Sequence, residues 1–420
     1  MSIRIRNTLL ENGTRSDILI EGNLIEKVGD CAGMRAEHEI DGEHLAALPG
    51  LMNGHTHAAM TLLRGFADDM PLEPWLKEKI WPTEAKLTED DVYWGAKLAC
   101  LEMVKSGTTF FSDMYWHLQG IINAVDQSGM RALLSSPDID FSDDSKAEKQ
   151  LVENERFYLE HSGKNSRIRF ALGPHSPYAT SPLQLLWSKE FSEKHDILVH
   201  IHVSETQCEV DEVVSKRGVR PVEYLEKIGL LSPRLLACHC IWLSDREIEL
   251  FAFRGVNVIH CPTSNLKLAS GHAGMPYKKL TKAGINVCLG TDGPASNNNL
   301  DMFEAMKVAS ILQKSTHADP TALIARHAFD MATTNAAKAF RINAGAIRKG
   351  MLADIILVDL ENPALVPNHN LVSNVVYSAN GSCVDTTICD GRIIMQGRKV
   401  EGEEETIEKA QAVAQDLVSR

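Results

Sequence analysis

Leu48-Pro49-Gly50-Leu51-Met52-Asn53-Gly54-His55-Thr56-His57 is an apolar run, punctuated by glycines, that ends in two histidines one residue apart. On an extended strand residues i and i+2 share a face, so His55 and His57 can aim both imidazoles at one point. Two ligands of one metal ion must do the same. His-x-His alone is equally an ordinary polar pair, so the reading rests on what later strand ends supply.

From this run outward the chain alternates between strand and helix. Gly107–Asp113, Arg131–Ser135, Ile168–Gly173, Ile197–Val203, Leu235–His239, Val256–His260 and Ile285–Gly290 are further β-rich runs. With the first they make eight candidate strands. Helical patterns separate most of them. The clearest begins at Thr88-Glu89-Asp90-Asp91, a capping-box-like start, puts Val92, Ala96, Ala99, Cys100, Met103 and Val104 on one face, and stops at Gly107. Eight strands alternating with helices predict a (β/α)8 TIM barrel.

The chain ends read differently. Ile3–Asn7, Asp17–Ile20 and Leu24–Val28 are short strands. After a helix near Pro320 to Phe340, strands return at Ala353–Val358, Val384–Ile388 and Arg392–Met395. Both groups are expected to pair into one small β-sandwich built from both N- and C-terminal segments. The predicted organisation is 1–48 and 346–400 for the two parts of the sandwich, 49–345 for the barrel, and 401–420 for a terminal helix.

Composition narrows the partners. The 420 residues are 44% hydrophobic and 24% charged, ordinary for a globular protein. A net charge of −13 offers no surplus to neutralise phosphates, which argues against nucleic acid or an anionic membrane as partner. No apolar run reaches the roughly 18 residues of a membrane span. Met1–Arg6 lacks the apolar core of a signal peptide. The nine cysteines form no Cys-x-x-Cys, and an odd number in apolar runs suggests reduced thiols and a cytoplasmic location. Cys238 and Cys240 flank His239 and should face away from it, as core packing.

Barrel active sites sit at the C-terminal ends of the strands. His55 and His57 close the first strand, His202 lies near the end of the fifth, His239 ends the sixth and Asp292 ends the eighth. Glu205 follows His202 by three residues, and His175 follows the fourth strand. Three imidazoles and a carboxylate suit a divalent ion such as zinc, with a position left for water. Of His200 and His202, the second is nearer the strand's end; His200 should lie a layer deeper, hydrogen-bonded in the core. His260 is expected to be structural or to support a ligand.

The chain resembles the amidohydrolase superfamily, and within it the branch that includes 5′-methylthioadenosine/S-adenosylhomocysteine deaminases. The likeness is carried by Pro49–His57, Trp81-Pro82-Thr83-Glu84, Gly173–Tyr178, His200–Thr206, His239-Cys240, Thr263–Leu268, Gly290–Asn298 and Tyr377–Gly381, and covers essentially the whole chain. The resemblance implies one zinc (or Fe2+) held by His55, His57, His202 and Asp292, with no carboxylated lysine. Asp292 would take the proton of the attacking water, Glu205 would protonate a purine ring nitrogen, and His239 would stabilise the hydroxide and the tetrahedral carbon. Glu84 and His175 would bind substrate, Glu84 by accepting from a ribose diol. The implied reaction turns the 6-amino group of an adenosine-type nucleoside into 6-oxo with release of ammonia. The resemblance also implies a homo-oligomer, although no interface can be read from the sequence.

One departure stands out. Many members of this branch carry an arginine shortly after the third strand, where this chain has Leu134-Ser135-Ser136-Pro137. Ser136 offers no guanidinium fork, and Arg131 lies within the strand. The alternative reading is therefore an aminohydrolase or chlorohydrolase of guanine, a pterin or an s-triazine. A scaffold that had lost the chemistry would lack some of these ligands, and none is missing here.

Overall fold

The computed structural model describes residues 1–271 and 274–420. All eight expected strands form, in two four-stranded parallel sheets. Leu51–Thr56, Thr108–Met114, Arg131–Ser135 and Ile168–Phe170 lie side by side in one. Val199–Val203, Leu235–His239, Asn257–His260 and Val287–Leu289 form the other. Backbone hydrogen bonds join the sheets at both seams. Leu172 N donates to Leu198 O (3.0 Å) and His200 N to Leu172 O (2.8 Å) at one. Thr291 N (3.1 Å) and Asp292 N (2.9 Å) both donate to His55 O at the other. This is an α/β arrangement of the TIM-barrel type. Strands buried on both faces are predominantly apolar, which is why they read as near-continuous runs, with the buried polar residues of the site among them.

Helix Glu89–Lys105 starts where the sequence places it. Thr88 Oγ1 accepts from Asp91 N (3.2 Å) and Asp91 Oδ2 accepts from Thr88 N (2.8 Å), a reciprocal cap. The six residues assigned to its inner face are all buried. At its far end Gly107 takes φ 80°, a turn that favours glycine.

The single helix expected near 320–340 is instead two, Ala325–Met331 and Thr334–Phe340. Thr333 breaks it, with φ −135° and ψ −93°, and its hydroxyl donates back to Phe329 O (2.7 Å). The break frees Ala332 O to accept from Met52 N (2.9 Å), tying this segment to the first barrel strand.

The first run is also cut, at Gly50. Leu45–Pro49 pairs antiparallel with Ile355–Asp359 and parallel with Ser2–Leu10, whereas Leu51–Thr56 pairs with Thr108–Met114. A Cβ at Gly50 would meet Thr109 Oγ1 at 2.2 Å, so only glycine lets the chain pass between the two sheets. The N- and C-terminal strands meet as expected. Their pairing runs through one mixed eight-stranded sheet, ordered Arg392–Met395, Val384–Cys389, Ile355–Asp359, Leu45–Pro49, Ser2–Leu10, Arg15–Glu21, Leu24–Gly29, with His38–Asp41 beside Ser2–Leu10. Alternate residues Ile3 and Ile5, Ile18 and Ile20, Ile355 and Leu357 bury a separate apolar cluster. Arg131, at the base of the third barrel strand, pairs with Asp354 (3.1 Å) and Asp390 (2.8 Å) of this sheet. Helix Glu403–Ser419 closes the chain, and Arg420 holds Asp91 at 2.7 and 2.8 Å.

Among the described residues no helix is long and apolar enough to cross a membrane. The nine cysteines are all unbridged. Cys238 and Cys240 are buried among apolar side chains, and Cys238 Sγ also lies 3.1 Å from His200 Nε2.

Candidate active site

His57, Glu84, His175, His202, Glu205, His239 and Asp292 line one chamber, and His55 lies fully buried beneath it. The sequence-predicted site residues are thus brought together from six separate segments. Backbone turns fall at two of them and at Ser204, just before Glu205. Ser204 (φ 52°), His239 (φ 70°) and Asp292 (φ 65°) are non-glycine residues in the left-handed region, a conformation kept only where surroundings enforce it.

Hydrogen bonding fixes which ring nitrogen faces the chamber. His57 Nδ1 lies 2.7 Å from Met114 O, and His202 Nδ1 lies 2.7 Å from His175 O. A carbonyl only accepts, so both Nδ1 atoms carry a proton, and in the neutral ring each Nε2 keeps the lone pair that a metal ion would take. His55 Nδ1 lies 2.8 Å from His200 Nε2, and His200 Nδ1 lies 3.4 Å from Ser112 Oγ. His200 is therefore the deeper support that its place one layer down implies. His55 Nε2 is buried with no hydrogen-bond partner. It lies 3.4 Å from Asp292 Oδ1, and His57 Nε2 lies 3.3 Å from the same oxygen. His55, His57 and Asp292 form one candidate ligand cluster for a metal ion, and His55, His202 and His239 form an overlapping one.

His239 differs from the other imidazoles. Asn265 Nδ2 donates to His239 Nδ1 (3.0 Å), and the same amide nitrogen lies 3.5 Å from Glu205 Oε1, which fixes the amide's orientation. With Nδ1 accepting, a neutral His239 bears its proton on Nε2, 3.7 Å from Glu205 Oε2. It presents a donor where the others present lone pairs.

Charge follows burial and neighbours. Burial lowers His55 to about 4. Burial also works against a charged His57, but Asp292 outweighs it and lifts His57 to about 9. Burial likewise opposes the Asp292 carboxylate, yet His55 and His57 hold it well below the usual carboxylate range. Burial raises Glu205 above its ordinary value. It pushes Glu84 up to about 7, against the hydrogen bond from Tyr115 Oη (2.8 Å).

Residues 46–394 match the amidohydrolase family. The chain belongs to that family. It is a hydrolytic enzyme. Among its relatives, a 5′-deoxyadenosine deaminase of Methanoregula boonei is 53% identical over 92% of this chain and 87% of its own. A 5-methylthioadenosine/S-adenosylhomocysteine deaminase of Thermococcus sibiricus is 46% identical, covering 94% of each. Among solved structures, an adenosine deaminase from Xanthomonas campestris with bound zinc superposes with a TM-score of 0.92 at 33% identity, over 100% of this chain and 98% of that one.

Several site residues of this amidohydrolase escaped the sequence reading. Tyr115 and Trp116 follow the second barrel strand and line the chamber; their place just past a strand's C-terminal end was the available signal. Ser264 Oγ donates to Asp292 Oδ2 (2.6 Å) and Gly293 N to Oδ1 (2.8 Å). Glu209 accepts from Ser204 N and Glu205 N, both at 2.7 Å, and so sets the turn that carries Glu205. Arg131 is buried in the ion pairs at the barrel's base, away from the chamber. His260 is buried with neither ring nitrogen hydrogen-bonded.

Proposed function

We propose that this amidohydrolase is a zinc-dependent deaminase that converts the 6-amino group of an adenosine-type nucleoside to 6-oxo and releases ammonia. The observation that carries the reading is the division of ring protons. His57 and His202 give their Nδ1 protons to backbone carbonyls and so turn Nε2 inward beside Asp292 and His55, while His239 turns a donor inward beside Glu205. Relatives named as deaminases of 5′-deoxyadenosine, 5-methylthioadenosine and S-adenosylhomocysteine support the substrate class.

His55, His57, His202 and Asp292 would hold the ion. Zinc in such a setting acts as a Lewis acid and lowers the pKa of water toward about 7. Asp292, which stays ionised, accepts the proton that the attacking water loses. Glu205, its proton affinity raised by burial, donates to the ring nitrogen next to the attacked carbon, so that no anion builds up there. His239 Nε2–H donates to the oxygen on the tetrahedral carbon. The amine then leaves as ammonia, taking the proton that Asp292 had accepted, and the remaining hydroxyl proton passes back to Glu205 as the carbon becomes 6-oxo. Glu84 accepts from the ribose hydroxyls, and His175 borders the substrate while its carbonyl orients His202.

We extend the proposal to the frame around the site. Residues 49–345 would close as a (β/α)8 barrel, 1–48 and 346–400 would form the small β-sandwich, and 401–420 the terminal helix. The enzyme would act in the cytoplasm as a homo-oligomer, on small molecules and not on nucleic acid.

Metal analysis together with an ammonia-release screen tests this reading. Zinc or iron at one ion per chain is expected, with turnover of adenosine, 5′-deoxyadenosine or 5′-methylthioadenosine. Turnover of guanine, a pterin or an s-triazine alone would overturn the nucleoside assignment.

A further inference from the structure

Two outer chambers open from the inner one, and the same two aromatic residues stand at their junction. Trp81 lines all three cavities, and Phe141 lines both outer ones. Their rings meet edge to face, with centroids 6.0 Å apart at 68°. Phe141 is 54% exposed, so core packing does not hold it there. Its backbone is strained instead. Phe141 (φ 49°) and Ser142 (φ 67°) are consecutive non-glycine residues in the left-handed region. Buried Asp140 enforces that turn, accepting from Ser142 N (2.6 Å) and Ser181 N (3.0 Å), while Phe141 N donates to Ala179 O (2.9 Å). A strained loop that presents a bulky apolar ring to solvent at a site's mouth points to a ring kept for binding.

The charges of the outer chambers share one sign. The first is bordered by Glu73, Glu205, Glu209 and Glu212; its one lining cation among the described residues, Lys77, is paired with Glu73, and Lys216, outside the lining, is paired with Glu212. The second is bordered by Glu84 and Glu153, with His117 and Ser136 and no lysine or arginine among the described lining residues. Lys149, outside that lining, lies 3.8 Å from Glu153 and is itself exposed. Among the described lining residues neither chamber offers an unpaired ammonium or guanidinium to an anion.

This inference rests on the nucleoside reading above. With the ribose at Glu84, whatever the nucleoside carries at its 5′ position enters one of these chambers and meets Trp81 and Phe141 on either route. We infer that Phe141 and Trp81 are the specificity-determining residues for the 5′ group, and that the enzyme takes 5′ groups that are neutral and apolar or cationic and rejects anionic ones. The aromatic faces receive an apolar or cationic group, whereas a phosphate would give up water there without meeting a free cation.

The metal-loaded enzyme is assayed for ammonia release from 5′-deoxyadenosine, 5′-amino-5′-deoxyadenosine and adenosine 5′-monophosphate. The first two should be turned over comparably, and the monophosphate should fall by at least about a hundredfold in kcat/KM, because its charge is desolvated with no free cation to pair with. Ser136→Arg should restore about tenfold or more for the monophosphate and leave 5′-deoxyadenosine unchanged. Phe141→Gly, which suits the left-handed turn, should raise KM for 5′-deoxyadenosine about tenfold, with kcat nearly constant and the melting temperature no lower. A monophosphate handled as well as 5′-deoxyadenosine overturns the charge selection alone. A Phe141→Gly variant that melts lower with unchanged KM overturns the role of the ring. Should no adenosine derivative release ammonia, this inference and the nucleoside reading fall together.

Discussion

Glu84→Gln separates the cost of holding a buried carboxylate from its use. Glu84 is 8% exposed, and its only hydrogen-bond partner among the described residues is the Tyr115 hydroxyl. Burial raises its pKa from 4.5 to about 7. In the native state it therefore binds its proton more tightly than in the unfolded chain. The resulting stability is fully present below pH 4.5 and is lost as pH rises through about 7. A shift of that size corresponds to roughly 3 kcal/mol at 1.36 kcal/mol per unit. Glutamine keeps an oxygen for Tyr115 and carries no charge, so the variant should gain on the wild type by up to that amount between pH 5 and pH 8. The measurement is urea denaturation of chelated protein at several pH values, since a cation nearby would itself favour the carboxylate. The same substitution should raise KM for a nucleoside, because the amide nitrogen cannot accept from a hydroxyl. A stability gap that stays constant from pH 5 to pH 8 would refute the reasoning.

Glu209→Ala should leave the Ser204 and Glu205 N–H groups without an acceptor, costing about 1–3 kcal/mol each. It should also lower kcat by about tenfold or more as Glu205 drifts, with Glu209→Gln partly restoring both; steady-state kinetics beside a urea midpoint checks the pair. Arg131→Ala should strand Asp354 and Asp390 at the base of the barrel and destabilise by about 3–5 kcal/mol without moving KM, as followed by denaturation and kinetics.

The eight parallel strands were legible because burial on both faces favours near-continuous apolar runs, and such runs survive in a single sequence. Their C-terminal ends were legible for the same reason, so His55, His57, His202, His239 and Asp292 could be assigned to one rim before any distance was known. The cut at Gly50 was hidden: residues 45–56 read as one run because both of its halves are strands. Only the side chain of Thr109, pressed against the glycine, divides them. The helix break at Thr333 was hidden because threonine is tolerated in helices. What decides it is a distant strand needing Ala332 O as an acceptor.

The least legible layer is the one on which the chemistry turns. Sequence names five histidines near one rim and says nothing of which nitrogen each presents. That choice belongs to groups with no sequence signal of their own: the carbonyls of Met114 and His175 and the amide of Asn265. The backbone oxygens can only accept, so they hold the Nδ1 protons of His57 and His202 and turn Nε2 of each toward the chamber. The Asn265 amide, oriented by Glu205, can only donate toward His239, so it forces that ring into donor form. Identical side chains thus take opposite roles within a few ångströms. Exchanging Asn265 for Asp would reverse the sign of that last constraint, placing an acceptor where His239 now accepts. His239 would then turn its lone pair toward the chamber or take up a second proton. The neutral ring then no longer offers its present donor, and only the doubly protonated ring would keep it, while His55, His57, His202 and Asp292 keep their partners.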